Sequence, residues 1–108
     1  MAWFYLLLAG IMEIGWPLGF KLSQLPGWRW QGITIALACL GLSTVLLWLA
    51  LRGIPLGTAY AVWTGIGAVG VFITGILLFD EPGNGLRVAS AACIFIGIVG
   101  LKLADGGA

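Results

Sequence analysis

The chain has 108 residues, 61% of them hydrophobic and 8% charged, with a formal net charge of +1. That is too little charge to clothe a soluble domain of this size. With no histidine, and with Cys39 and Cys93 isolated inside apolar stretches, hydrolytic and metal chemistry find no support. The composition therefore points to an all-α membrane protein, and neither a cofactor nor a nucleic-acid partner is expected.

The first apolar stretch, Ala2–Phe20, is long enough to cross a bilayer and carries one charge, Glu13. No basic segment precedes it and it runs straight into Lys21, so it is expected to remain as a span and not be cleaved as a signal. A charge at the centre of a membrane helix costs about 2.5–3.5 kcal/mol on insertion scales, a cost normally associated with function. For a carboxylate that function is to bind a cation, carry a proton, or both. At helical spacing Glu13 falls on the stripe Leu6, Ala9, Gly10, Glu13, Trp16, Pro17, Phe20. The Trp16 indole, one turn away, could donate its N–H to the carboxylate or present its face to a bound cation. Pro17 lacks the N–H that would bond the Glu13 carbonyl, which predicts a kink at that point.

Lys21–Arg29, with Pro26 and Gly27, reads as the first loop. The second span, about 31–51, carries Ser43 near mid-depth, where its hydroxyl could reach Glu13 or bond back to its own helix. After a short connection at Arg52–Pro55, the third span covers about 56–79 and sets Tyr60, Trp63, Thr64 and Gly67 on one face. Two aromatic residues with polar tips at that depth suit a pocket better than a lipid surface. Gly65, Gly67 and Gly70 would allow bending or close packing. Asp80–Gly85 is a strong turn signal, and the fourth span, about 86–103, reaches membrane length if Arg87 and Lys102 snorkel at its ends. Ser90 and Gly97, with Ala89 and Cys93 beside them, form a small-residue face suited to packing against another helix. Ala104–Ala108 is a short polar tail. The whole of 1–108 is expected to be one four-helix transmembrane domain.

Four spans put both termini and the second loop on one side, giving Arg52 and Lys102 there against Lys21, Arg29 and Arg87 on the other. So even a balance of basic residues allows insertion in both orientations. Four helices are also too few to enclose a water-accessible path with a gate at each side, so the chain is expected to oligomerise.

The run Gly10-Ile11-Met12-Glu13-Ile14-Gly15-Trp16, then Lys21, then Pro55-Leu56-Gly57-Thr58-Ala59-Tyr60-Ala61-Val62-Trp63-Thr64-Gly65-Ile66-Gly67, resembles the small multidrug resistance family over essentially the whole chain. Trp16 and Trp63-Thr64-Gly65 make it look like the guanidinium-exporter branch. The resemblance implies an antiparallel, dual-topology homodimer in a bacterial inner membrane, exchanging protons for guanidinium or a small substituted guanidinium cation. It implies that Glu13 of each subunit is the shared proton and cation site, with Trp16, Ser43 and Tyr60 bonding the carboxylates and Trp63 lining the pocket. Gly10 would leave room beside the site, Gly65 and Gly67 would form a kink, and Ser90 and Gly97 would pack the dimer. The alternatives are an exporter of larger aromatic or quaternary cations and one half of a heteromeric pair. A small anion channel can share the architecture, but a carboxylate in the path opposes anion passage.

Overall fold

A computed structural model describes residues 1–104, so Asp105–Ala108, most of the expected polar tail, lie outside the described residues. The chain folds into four helices, α1 (Ala2–Ser23), α2 (Arg29–Ala50), α3 (Leu56–Phe79) and α4 (Gly85–Ala104). At 20 to 24 residues each, all four are long and apolar enough to span a bilayer. This is a multi-pass membrane protein. α1 runs one turn further than the sequence suggested, to Ser23, and α2 begins at Arg29, which shortens the first loop to residues 24–28. Lys21 sits in the last turn of α1, where a cation is favoured by the helix dipole, so its charge did not mark the end of the helix. α1 also continues unbroken through Pro17, which leaves the Glu13 carbonyl without its usual N–H partner.

The arrangement is flat, 47 × 34 × 16 Å, little more than one helix thick in its shortest dimension. α1 packs between α2 and α3, and α4 rests mainly on α3, reaching α1 through Lys102 over the Trp3 ring. The buried side chains are mostly small. Leu6, Ala50, Ile54, Ala59 and Val62 form the main cluster, at the second-loop end of the bundle. Within a membrane, contact between helices comes from close backbone approach and not from expulsion of water, and small residues permit it. The α1–α2 crossing shows this most clearly. A β-carbon on Gly32 would lie 2.5 Å from the Gly19 carbonyl oxygen and 2.6 Å from the Ser23 α-carbon. These are backbone atoms and cannot step aside. α4, by contrast, buries no residue at all.

The loops follow local chemistry. Asp80 ends α3 in the left-handed region, at φ 56°, a conformation aspartate tolerates better than most residues. Asn84 begins α4 by accepting the Arg87 N–H at 3.0 Å, a side-chain N-cap. The basic side chains share one solution. Lys21 lies over Phe79, Arg29 over Trp30, Arg52 over Trp48, Arg87 over Phe72 and Lys102 over Trp3, each 4.9–5.9 Å from the ring centroid. These stacks hold the cations at the helix ends.

Gly32→Val should force α1 and α2 apart and lower the unfolding temperature of the detergent-solubilised protein, overpacking of this kind costing about 1–3 kcal/mol. Gly41→Val, at a position where a β-carbon meets nothing within 4 Å, should leave that temperature nearly unchanged.

Candidate functional site

Glu13 stands about 15 Å from either end of α1 by helical rise. Its side chain is half-buried and lies along α3, where Gly67 makes the space: a β-carbon there would come within 2.7 Å of Glu13 Cγ and 3.3 Å of its Cβ. Any larger residue at 67 would push the carboxylate off this seat. Among the described residues Glu13 forms no ion pair, since the basic side chains are all held at the helix ends over aromatic rings.

Ser43 on α2 is fully buried and is the carboxylate's hydrogen-bonding neighbour. Its Oγ lies 2.8 Å from the Ala9 carbonyl oxygen and 3.3 Å from Glu13 Oε1, and it accepts the Trp63 indole N–H at 2.8 Å. A hydroxyl has one proton and two lone pairs. Trp63 occupies one lone pair, and the proton goes to the Ala9 carbonyl or to the carboxylate, the former at the shorter distance. One oxygen thereby joins α1, α2 and α3 at the depth of Glu13. Sequence left open whether Ser43 would bond its own helix instead. Thr44, Thr64, Thr74 and Ser90 do so, each donating to a carbonyl one turn earlier, while Ser43 reaches across to α1.

The other expected ligands of the carboxylate are placed differently. The Trp16 ring packs edge-to-face on Phe20, 6.0 Å between centroids, and its buried Nε1 has no hydrogen-bond partner among the described residues. Tyr60 is 56% exposed, with its ring 5.5 Å from that of Trp63 and no hydrogen bond to Glu13. Within one chain, then, Ser43 alone of the three bonds the carboxylate. Tyr60 lies on the exposed side of α3, while the Trp16 Nε1 is enclosed within the chain.

The glycines also differ from expectation. Gly10 faces Ile66, whose Cβ would be 2.8 Å from an added β-carbon, so the room it leaves is for α3 and not for the carboxylate. α3 is one continuous helix through Gly65 and Gly67. Their role in this conformation is close approach, Gly65 to Ile98 of α4 and Gly67 to Glu13. Ser90 and Gly97 lie exposed on α4, and a β-carbon at Gly97 would meet nothing within 4 Å. Sequence reasoning missed the Ala9 carbonyl, a backbone group that no side-chain pattern reports, and the seat at Gly67, for which it expected bending or close packing without naming Glu13 as the neighbour. It also missed a cavity of about 190 Å³ farther along the α1–α3 seam, lined by Pro17, Lys21, Thr74, Gly75, Phe79 and Glu81 among others.

The chemistry available to this arrangement is narrow. A carboxylate in apolar surroundings, with one hydroxyl donor and no counter-ion, can be neutralised by a proton or by a cation supplied from outside the chain. Among the described residues no cluster of three or more histidine, cysteine or acidic groups is placed to hold a metal.

The sequence comparisons converge on one family. Residues 1–96 match the model for the Small Multidrug Resistance protein family. The chain is 47% identical, over 104 residues, to proteins named guanidinium exporter from Escherichia coli K12, Citrobacter freundii and Klebsiella oxytoca, an overlap that covers 95% of this chain and 97% of each relative. With its four spans and a single carboxylate at mid-membrane, the chain belongs to the small multidrug resistance family.

Proposed function

We propose that two copies of this chain, inserted in opposite orientations in a bacterial inner membrane, form a proton-coupled antiporter that exports guanidinium and small substituted guanidinium cations. The observation that carries the reading is the uncompensated carboxylate of Glu13, seated on Gly67 and held by Ser43. Near-full-length relatives named for guanidinium export support the substrate. A sheet of helices only 16 Å thick cannot by itself surround a path, and α4, with no buried residue, offers an apolar face for a second copy. Ser90 and Gly97 lie exposed on that helix.

In such a dimer the two Glu13 carboxylates share one site. Guanidinium is planar and presents paired N–H groups that match carboxylate oxygens, so directed, charge-assisted bonds favour it over a spherical cation. Loading the cation discharges protons, and protonation releases the cation. The empty, doubly ionised site is the costly state to move through the membrane, which makes occupancy the condition for changing sides. The exposed Tyr60 hydroxyl finds its acceptor across the dimer, and rotation of the Trp16 indole frees its buried N–H to do the same. Gly65 and Gly67 let α3 bend in one protomer and run straight in the other, giving the inward- and outward-facing halves. The protein is a transporter and not an enzyme.

In proteoliposomes under an imposed pH gradient, the wild-type chain should take up guanidinium and leave a bulky quaternary aromatic cation behind. Uptake of the aromatic cation instead would assign the chain to a drug-type exporter. Glu13→Gln should abolish proton-driven flux while the protein still elutes as a folded dimer, and retained coupled transport would sink the two-carboxylate mechanism. Ser43→Ala leaves the Trp63 N–H without its acceptor inside the bundle, a loss of about 1–3 kcal/mol. It should raise the KM for guanidinium about tenfold, read from the concentration dependence of initial flux.

A further inference from the structure

A mainly apolar pocket with one ammonium and one carboxylate in its wall lies outside the Glu13 site, at the loop end of the α1–α3 seam. Its volume is about 190 Å³, and its walls include Pro17 and Lys21 of α1, Thr74 and Phe79 of α3, and Glu81 from the loop that follows. Pro17 and Lys21 follow Glu13 by four and eight residues, so helical rise places the pocket about 6–12 Å along the seam from the carboxylate.

Three features build it. Asp80, left-handed at φ 56°, turns the chain back on itself, and the Glu81 N–H then donates to the Gly75 carbonyl at 3.2 Å. This turn lays the Glu81 carboxylate on Gly75, where any side chain would collide with Oε1. Opposite, the Lys21 ammonium lies over the Phe79 ring, 5.9 Å from its centroid, without closing an ion pair to Glu81. The pocket thus sets a carboxylate and a cation-binding ring face side by side, and a cation of the chain's own already rests on the ring.

We propose that this pocket is an entrance site for the transported cation. A guanidinium ion would stack on Phe79, donate N–H bonds to Glu81, displace the Lys21 ammonium, and pass along the seam to Glu13. Lys21 competes for the ring, so the site releases its guest instead of trapping it. This inference rests on guanidinium being the substrate, as proposed above.

Saturation of guanidinium flux into proteoliposomes tests it, with wild type, Glu81→Gln, Glu81→Asp and Lys21→Gln run at low and high salt. Glu81→Gln should raise the KM about two- to fivefold at low ionic strength, the worth of an exposed charge pair, with the difference shrinking as salt is added. Glu81→Asp should restore most of the wild-type KM, and Lys21→Gln, which clears the ring, should lower it. A structural role for these residues would instead depress the maximal rate in both variants. If the wild type carries guanidinium but Glu81→Gln leaves KM unchanged, or Lys21→Gln raises it, the entrance site is wrong and the exporter reading stands. If the wild type carries no guanidinium, both fail together.

Discussion

A carboxylate at mid-membrane has to be neutralised by something, and among the described residues nothing does it. The basic side chains are tethered to aromatic rings at the helix ends, and Lys21 on the same helix is about 12 Å away by helical rise. What the fold gives Glu13 is a seat on Gly67 and one hydroxyl from Ser43. Both fix where the charge is without cancelling it. The rest of the architecture follows from that. α1, which carries the charge, is central, α2 and α3 close on it through small residues, and α4 packs at the edge without burying a residue. A charge left uncompensated is what separates this bundle from one with a buried ion pair.

Ser43 gives the site its coherence. Its oxygen receives the Trp63 indole and its proton lies between the Ala9 carbonyl and Glu13, so the state of the carboxylate bears on three helices through one atom. When Glu13 is ionised it competes with the Ala9 backbone for that proton. When Glu13 is neutral it is the weaker acceptor, and the bond to Ala9 meets less competition. A local change in charge is therefore also a change in how α1 and α2 are joined.

Much of this was legible in the sequence. Four apolar runs separated by proline, glycine and charge gave the helices, because membrane thickness sets span length and leaves few alternatives. Glu13 stood out for the same reason, as a charge where charge is expensive, and Trp63 as an aromatic residue with a polar tip too deep for the interface. What was not legible depended on three-dimensional approach. Gly10 and Gly67 are alike in sequence, yet one admits Ile66 and the other admits the carboxylate, a difference fixed by how α1 and α3 are rotated against each other. The Trp16 spacing correctly put it one turn from Glu13, but periodicity does not report side-chain direction, and the ring turns to Phe20. Lys21 read as a loop residue because it is charged, though the end of a helix accommodates it equally well.

The aromatic rings beneath the basic side chains carry one more consequence, for how the chain enters the membrane. At one end of the bundle Arg52 lies on Trp48 and Lys102 on Trp3; at the other Lys21 lies on Phe79, Arg29 on Trp30 and Arg87 on Phe72. Each unit has an apolar body for the hydrocarbon edge and a charged tip for the headgroups. Both ends therefore meet a lipid surface with the same hardware. The bundle is thus moored at both faces by the same kind of anchor, two at one end and three at the other.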